Sequence, residues 1–241
     1  TVSHVGPMTR TVADAALIAD AIAGYDPGDP DTRMIPPPRL HDIALTEPPV
    51  TPALAFVKTP FWEKAADETK AGFAELVSAL GETCTEVALP DIFSESAAAQ
   101  RNLMIAGAAR NLGPYYDRSK DKVSNHARTM IEEGRKVTAV DYLEALDWRE
   151  ALNHDLEQVF ERYDAIVTPA APGEAPRDLS TTGNPVFNAM WTLCGVPAIT
   201  LPLLEGPNGL PVGVQLVGRR GKDARLLRTA RWLAKVVNEE Q

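Results

Sequence analysis

The sequence predicts an α/β protein built on part of a mixed, mainly parallel β-sheet sandwiched between helical layers. Three observations predict it. Residues 53–57, 63–80 and 83–89 read as strand, helix and strand, and a helical crossover of that length makes the two strands parallel. The run Ala165-Ile166-Val167, bounded by Asp164 and Thr168-Pro169, is too short for a helix and does not alternate, as in a strand covered on both faces. Asn208-Gly209 stands between two further apolar runs, 197–203 and 212–217, which is the turn chemistry of an antiparallel hairpin.

The remaining elements follow in chain order. Residues 11–23 form a helix that Thr11 caps, with Asp14 complementing the free amides of the first turn and Gly24 expected to end it. Residues 25–52 are rich in Pro, Gly and Asp and run over the surface, with regular bonding expected only at 43–45. In 63–80, Ala66, Phe73, Leu76, Val77 and Leu80 recur at helical spacing. Residues 94–112 are Ala-rich and helical, and Gly113-Pro114 is expected to break them, leaving 115–136 polar and unpatterned. A long helix over 138–162 turns Val140, Leu143, Leu146, Leu152, Leu156, Val159 and Phe160 inward. Residues 184–194 make a short helix, and 222–237 a final one with Ala224, Leu227, Ala230, Leu233, Ala234 and Val237 on its buried stripe.

Composition narrows the partners. The 241 residues are 44% hydrophobic and 24% charged, an ordinary globular balance in one domain, 1–241. A formal net charge of -9 repels phosphate backbones and anionic lipid, so neither nucleic acid nor a membrane surface is an expected partner. Apolar stretches are short and interrupted, and no basic-then-apolar leader opens the chain, so a cytoplasmic location is expected. Cys84 and Cys194 are far apart in apolar surroundings and read as buried thiols. Four histidines and two cysteines do not cluster, so no metal and no cofactor is expected.

Two stretches are more specific than secondary-structure patterning requires. In the first, Ser3-His4 is followed by Gly6-Pro7, then Arg10, then Val12-Ala13-Asp14-Ala15-Ala16, and Gly24 and Asp26 follow the helix. In the second, 163–169 leads through Trp191-Thr192 and Gly195-Val196-Pro197 to Gly213-Val214-Gln215. Both, in this order, resemble the amidase signature family. Ser3 stands where the family commonly has Asp, so this chain has no carboxylate at that position.

The resemblance implies a large mixed sheet between helical layers and a Ser-Ser-Lys catalytic triad. It also implies that all three triad members precede the motif at Gly6 to Arg10, so that the chain is the C-terminal part of a longer domain, truncated before Thr1. The serines themselves agree with this expectation. An amide carbonyl needs an activated hydroxyl, a base and N–H donors aimed at the developing oxyanion. Ser78, Ser94, Ser96, Ser119, Ser124 and Ser180 lack a Gly-rich setting that would supply them, Ser3 has no paired serine after it, and no Gly-x-Ser-x-Gly elbow exists to serve a histidine triad. No catalytic residue is therefore assigned within the chain.

The resemblance places the 184–197 region near a substrate cavity, and makes Asn188, Trp191 and Thr192 candidate pocket-lining residues. A core position is the alternative for Trp191. Gly6, Pro7, Arg10, Asp14, Gly195, Pro197 and Gln215 are structural motif positions. Arg10 is expected to pair with a carboxylate such as Asp14, four residues on, or else to meet an acidic partner. Gln215 is either a hydrogen-bonding residue behind the pocket or a satisfied core amide.

The expected function of the parent protein is hydrolysis of a carboxylic amide C–N bond, acting on a small-molecule amide. The alternatives are the glutaminase-type component of an amidotransferase and a non-catalytic binding module. The missing N-terminal half of the same domain is the expected partner. Without it, unpaired strand edges would make the chain associate, homo-oligomers included.

Overall fold

The structure, a computed structural model, describes residues 2–29, 31–178 and 181–239, so Ser180 lies outside the described residues. In chain order the elements are α1 (Val12–Ile22), α2 (Leu40–Ala44), β1 (Leu54–Phe56), α3 (Asp67–Leu80), β2 (Cys84–Glu86), α4 (Ser96–Arg118) and α5 (Asn125–Gly134). They continue with α6 (Ala139–Phe160), β3 (Ala165–Pro169), α7 (Val186–Cys194), β4 (Ala198–Glu205), β5 (Pro211–Val217) and α8 (Asp223–Glu239).

Among the described residues, five strands form one sheet in the order β2-β1-β3-β5-β4. Pairing is parallel across β2-β1-β3 and antiparallel across β3-β5-β4, so the mixed character divides by side. The strand–helix–strand reading of 53–89 yields the first parallel pair, Leu54 opposite Cys84, and the Asn208-Gly209 turn closes the β4–β5 hairpin, with Gly209 left-handed at φ 74.

Because side chains alternate across a strand, the central strands β1, β3 and β5 each feed two cores. Leu54, Phe56, Ala165, Val167, Val214 and Leu216 meet Phe73, Leu76 and Leu80 of α3 and Leu226, Ala230 and Leu233 of α8. Ala55, Val57, Ile166 and Val217 point the other way, onto Ala99 and Leu103 of α4, Leu152, Leu156 and Phe160 of α6 and Trp191 and Leu193 of α7. Burial on both faces explains why β3 is apolar without alternation: all five of its residues are buried.

Thr11 caps α1 as expected, accepting from the Asp14 amide at 3.0 Å. The helix then stops without glycine geometry, since Ala23 turns extended (φ -74, ψ 130) and Gly24 has no positive φ. A second correction concerns Gly113-Pro114, which α4 passes through. Proline removes one backbone bond, but α4 is held there from outside: buried Tyr116 bonds Glu132 of α5, and Arg135 reaches Asp117 at 2.6 Å. The partner in both contacts lies in or just after α5, the helix that the polar run 115–136 did not disclose. Val140 and Leu143, expected inward, are 62% and 59% exposed, because the buried residues of α6 begin only at Ala145 and continue with Leu152, Leu156 and Phe160. No helix among the described residues is long and apolar enough to cross a membrane.

Candidate functional site

The connections single out one end of the sheet. The chain leaves β1 through α3 to β2 on one side, then returns through α4, α5 and α6 to β3 on the other, and the two crossovers cover opposite faces. Such a reversal opens a crevice beyond the carboxyl ends of the parallel strands, where α/β proteins place ligands. Here those ends are Phe56 and Pro169.

Polar groups collect beside β3 at this end. Thr168 is fully buried within the strand, and its register partner on β5 is Gln215, 4% exposed. Gln215 Nε2 donates to Asn188 Oδ1 at 2.5 Å, and Asn188 Nδ2 donates to the Ala170 carbonyl at 3.0 Å. Gln215 Oε1, Thr168 Oγ1 and Trp191 Nε1 are buried without a protein partner. Gly213, two residues before Gln215, leaves no free room for a side chain: an ideal Cβ there stands 2.6 Å from Thr200 Cγ2 and 3.0 Å from Ala170 Cβ, so its neighbours would have to shift.

Short segments hold α7 over this cluster. At its C-terminus Gly195 is left-handed (φ 65) and its N–H bonds the Trp191 and Thr192 carbonyls, at 3.0 and 3.2 Å. Asn153 of α6 donates to the Cys194 carbonyl at 3.0 Å, and the Pro197 carbonyl accepts from Gly218 at 2.9 Å. The chain after β3 is pinned by Glu174, whose carboxylate accepts from the Asn208 amide (2.9 Å), Asn208 Nδ2 (2.7 Å) and the Leu210 amide (3.0 Å). The Asn208 side chain leads in holding the Glu174 carboxyl below its usual pKa.

Of the residues singled out in the sequence, Asn188, Trp191, Thr192, Gly195, Pro197 and Gln215 come together here. Trp191 is 1% exposed and packs in the core under α7, whereas Asn188 and Thr192, one turn apart, are half-buried. Gly6, Pro7 and Arg10 lie in irregular chain before α1, with Gly6 and Arg10 exposed. The expected pairing of Arg10 with Asp14 is not formed; Asp14 Oδ2 instead accepts from the Thr11 hydroxyl at 2.8 Å. Three contributors were missed: Thr168, Glu174 and Asn153. A threonine inside an otherwise apolar buried strand is a signal for the first, whereas local sequence carries none for the other two.

Two surface clefts lie apart from this cluster, one at the opposite end of the sheet and one at the same carboxyl edge. One of about 210 Å³ involves Pro49, Asp164, Arg225 and Arg228, at the amino ends of β1 and β3. The other, about 320 Å³, has Lys58, Asp91 and Ser94 beyond β1 and β2; Lys58 is paired with Glu86 at 2.8 Å and the Ser94 hydroxyl donates to the Asp91 carbonyl at 2.7 Å. Among the described residues, no hydrogen bond links a serine hydroxyl to a histidine, lysine or carboxylate, and no three potential ligands converge on a metal position.

Fold and site together define a layered α/β protein with a buried polar cluster under α7 at the carboxyl end of β3 in a mixed sheet. The family model described as Amidase matches residues 1–227, and the chain belongs to that family, the amidase signature enzymes. It is 27% identical over 258 residues to the A-type subunit of the glutamyl-tRNA(Gln) amidotransferase of Methylacidiphilum infernorum, covering 93% of this chain and 52% of that protein. It is 29% identical to a fatty acid amide hydrolase of Medicago truncatula, covering 100% of this chain and 43% of that one. Among solved structures, an amidase superimposes with TM-score 0.76 at 26% identity over 95% of this chain and 52% of its own. A chain from a vestigial protein complex described as revealing the evolutionary origins of an s-triazine catabolic enzyme gives TM-score 0.81 at 20% identity, covering 98% of this chain and 53% of that chain, a likeness of fold. The chain thus spans about half the length of the curated relatives it matches.

Proposed function

We propose that this chain is the C-terminal portion of an amidase that hydrolyses a carboxylic amide C–N bond through a Ser-Ser-Lys triad upstream of Thr1. The carrying observation is the family match over 1–227 in a chain that spans about half of its relatives. In this reading an upstream serine attacks the carbonyl, a second serine and a neutral lysine relay its proton, and backbone N–H groups hold the oxyanion. The chain contributes part of the sheet, its helical cover and one wall of the pocket, with Asn188 and Thr192 facing a small-molecule amide and Trp191 backing them. It is inactive by itself and needs the other half of its domain, requires no cofactor or metal, and acts in the cytoplasm.

The test begins with the coding region upstream of Thr1. A Gly/Ser-rich segment preceded by a lysine is expected, and amide turnover by the whole polypeptide should vanish when that serine becomes alanine. An upstream region without such a segment, or turnover by the present chain that depends on one of its own serines, defeats the reading.

A second reading, in which the parent is the glutaminase-type component of an amidotransferase, is favoured by the relatives named for glutamyl-tRNA(Gln) amidotransferase. Such a glutaminase would release ammonia from glutamine and would be stimulated by its partner proteins. A stand-alone amidase would hydrolyse simple aliphatic or aryl amides unaided. A polypeptide that turns over neither class would be a binding module that has kept the fold.

A further inference from the structure

We infer that Gln215 is a positioning residue, which sets the placement of α7 through Asn188 and so fixes the wall on which Thr192 stands; this rests on the amidase reading above. The hydrogen bonds run one way. The Ala170 carbonyl can only accept, so Asn188 must turn Nδ2 toward it, at 3.0 Å. That leaves Oδ1 facing β5, and Gln215 must answer with Nε2, at 2.5 Å. Exchanging O and N on Gln215 would set two carbonyl oxygens against each other, and exchanging them on both residues would move the clash to Ala170.

The fixed direction separates Gln215 from a space-filling amide, since only its Nε2 can satisfy Asn188 Oδ1 once Asn188 Nδ2 is committed to Ala170. A glutamine present only to fill the core would need no such direction. Gly213 strengthens the argument, because its missing side chain lets β5 approach Ala170 and Thr200 closely, at the point where the relay ends. The relay joins three elements at the crevice: β5, α7 and the segment leaving β3.

The experiment uses the whole enzyme containing this chain, with Gln215→Met, Asn188→Ala and the double variant. Gln215→Met keeps side-chain length and removes the donor. KM for the amide substrate should rise about tenfold, the effect of one neutral hydrogen bond, with kcat little changed. Asn188→Ala should raise KM at least as much, and adding Gln215→Met to it should change nothing further. In the whole enzyme, α7 amides should exchange faster with solvent in Gln215→Met while β3 and β5 amides do not.

Unchanged KM and unchanged α7 exchange in a folded Gln215→Met overturn the inference, as do additive effects in the double variant. A fall in kcat with KM constant also overturns it, since that would place Gln215 at the reacting atoms. Should Gln215→Met fail to fold, Asn188→Ala at its half-buried position decides by the same exchange measurement. An unsubstituted enzyme without amide turnover would count against the functional reading, and the exchange arm would still judge the positioning.

Discussion

The Asp20 carboxylate of α1 accepts the backbone N–H groups of Leu40 and His41, both at 2.8 Å, so the amino end of α2 is capped from another helix. α2 has only five residues and no cap of its own from Arg39. Such a helix is too short to persist on propensity. Asp20→Ala should therefore destabilise the fold by about 1–3 kcal/mol and raise hydrogen exchange at Leu40 and His41 first. Equal exchange in both proteins would mean that packing of Leu40 and Ala44 suffices.

Gly213→Ala should destabilise by roughly 1–3 kcal/mol, because the added methyl meets Thr200 Cγ2 at 2.6 Å. Thr200→Ser removes that atom and should recover part of the loss in the double variant. Thermal melts of the four proteins would test it, and simple additivity would count against the proposed contact.

Burial pushes the Cys194 thiol up to about 12 and the Cys84 thiol up to about 11. Neither should react with an aromatic disulfide reagent in the native state, and both should react in denaturant. Rapid native modification of either would place it outside the cores assigned to it.

The side chain and then the backbone amide of Thr138 hold the Asp141 carboxyl below its ordinary 3.8. The folded pKa lies below the unfolded one, so the stabilisation is complete above the unfolded value and is lost as pH falls through the folded value. Asp141→Asn should thus be less stable than the native sequence near neutrality and converge with it in acid. A stability difference independent of pH would reject the assignment.

β4 is an outer strand of the sheet, and Ala198, Thr200 and Pro202 are exposed on it. Free edges of this kind pair with other chains. The chain by itself should associate as its concentration rises, and a concentration-independent monomer in sedimentation would show that the edge is protected.

Most elements were legible because their signals are local. The Thr11 cap, the unalternating run of β3 and the Asn208-Gly209 turn depend on residues within a few positions of one another, and each was found where expected. α5 and the passage of α4 through Pro114 were not, since contacts between α4 and α5 such as Tyr116–Glu132 join residues that no periodicity relates. The outward Val140 and Leu143 show the same limit: a pattern reports which residues could be buried, and the neighbours decide which are.

The sequence by itself determined the family and part of the set of residues that meet at this end of the sheet, Asn188, Trp191, Thr192 and Gln215 among them, because the motif segments are each local in the chain. Only the tertiary structure decided what those residues do to one another. Thr168, Asn188 and Gln215 lie on three separate elements, and hydrogen-bond direction among them depends on distances of a few ångströms that chain order does not encode. The same holds for Glu174 and Asn208, which are brought together across the crevice by the β4–β5 hairpin and not by sequence spacing.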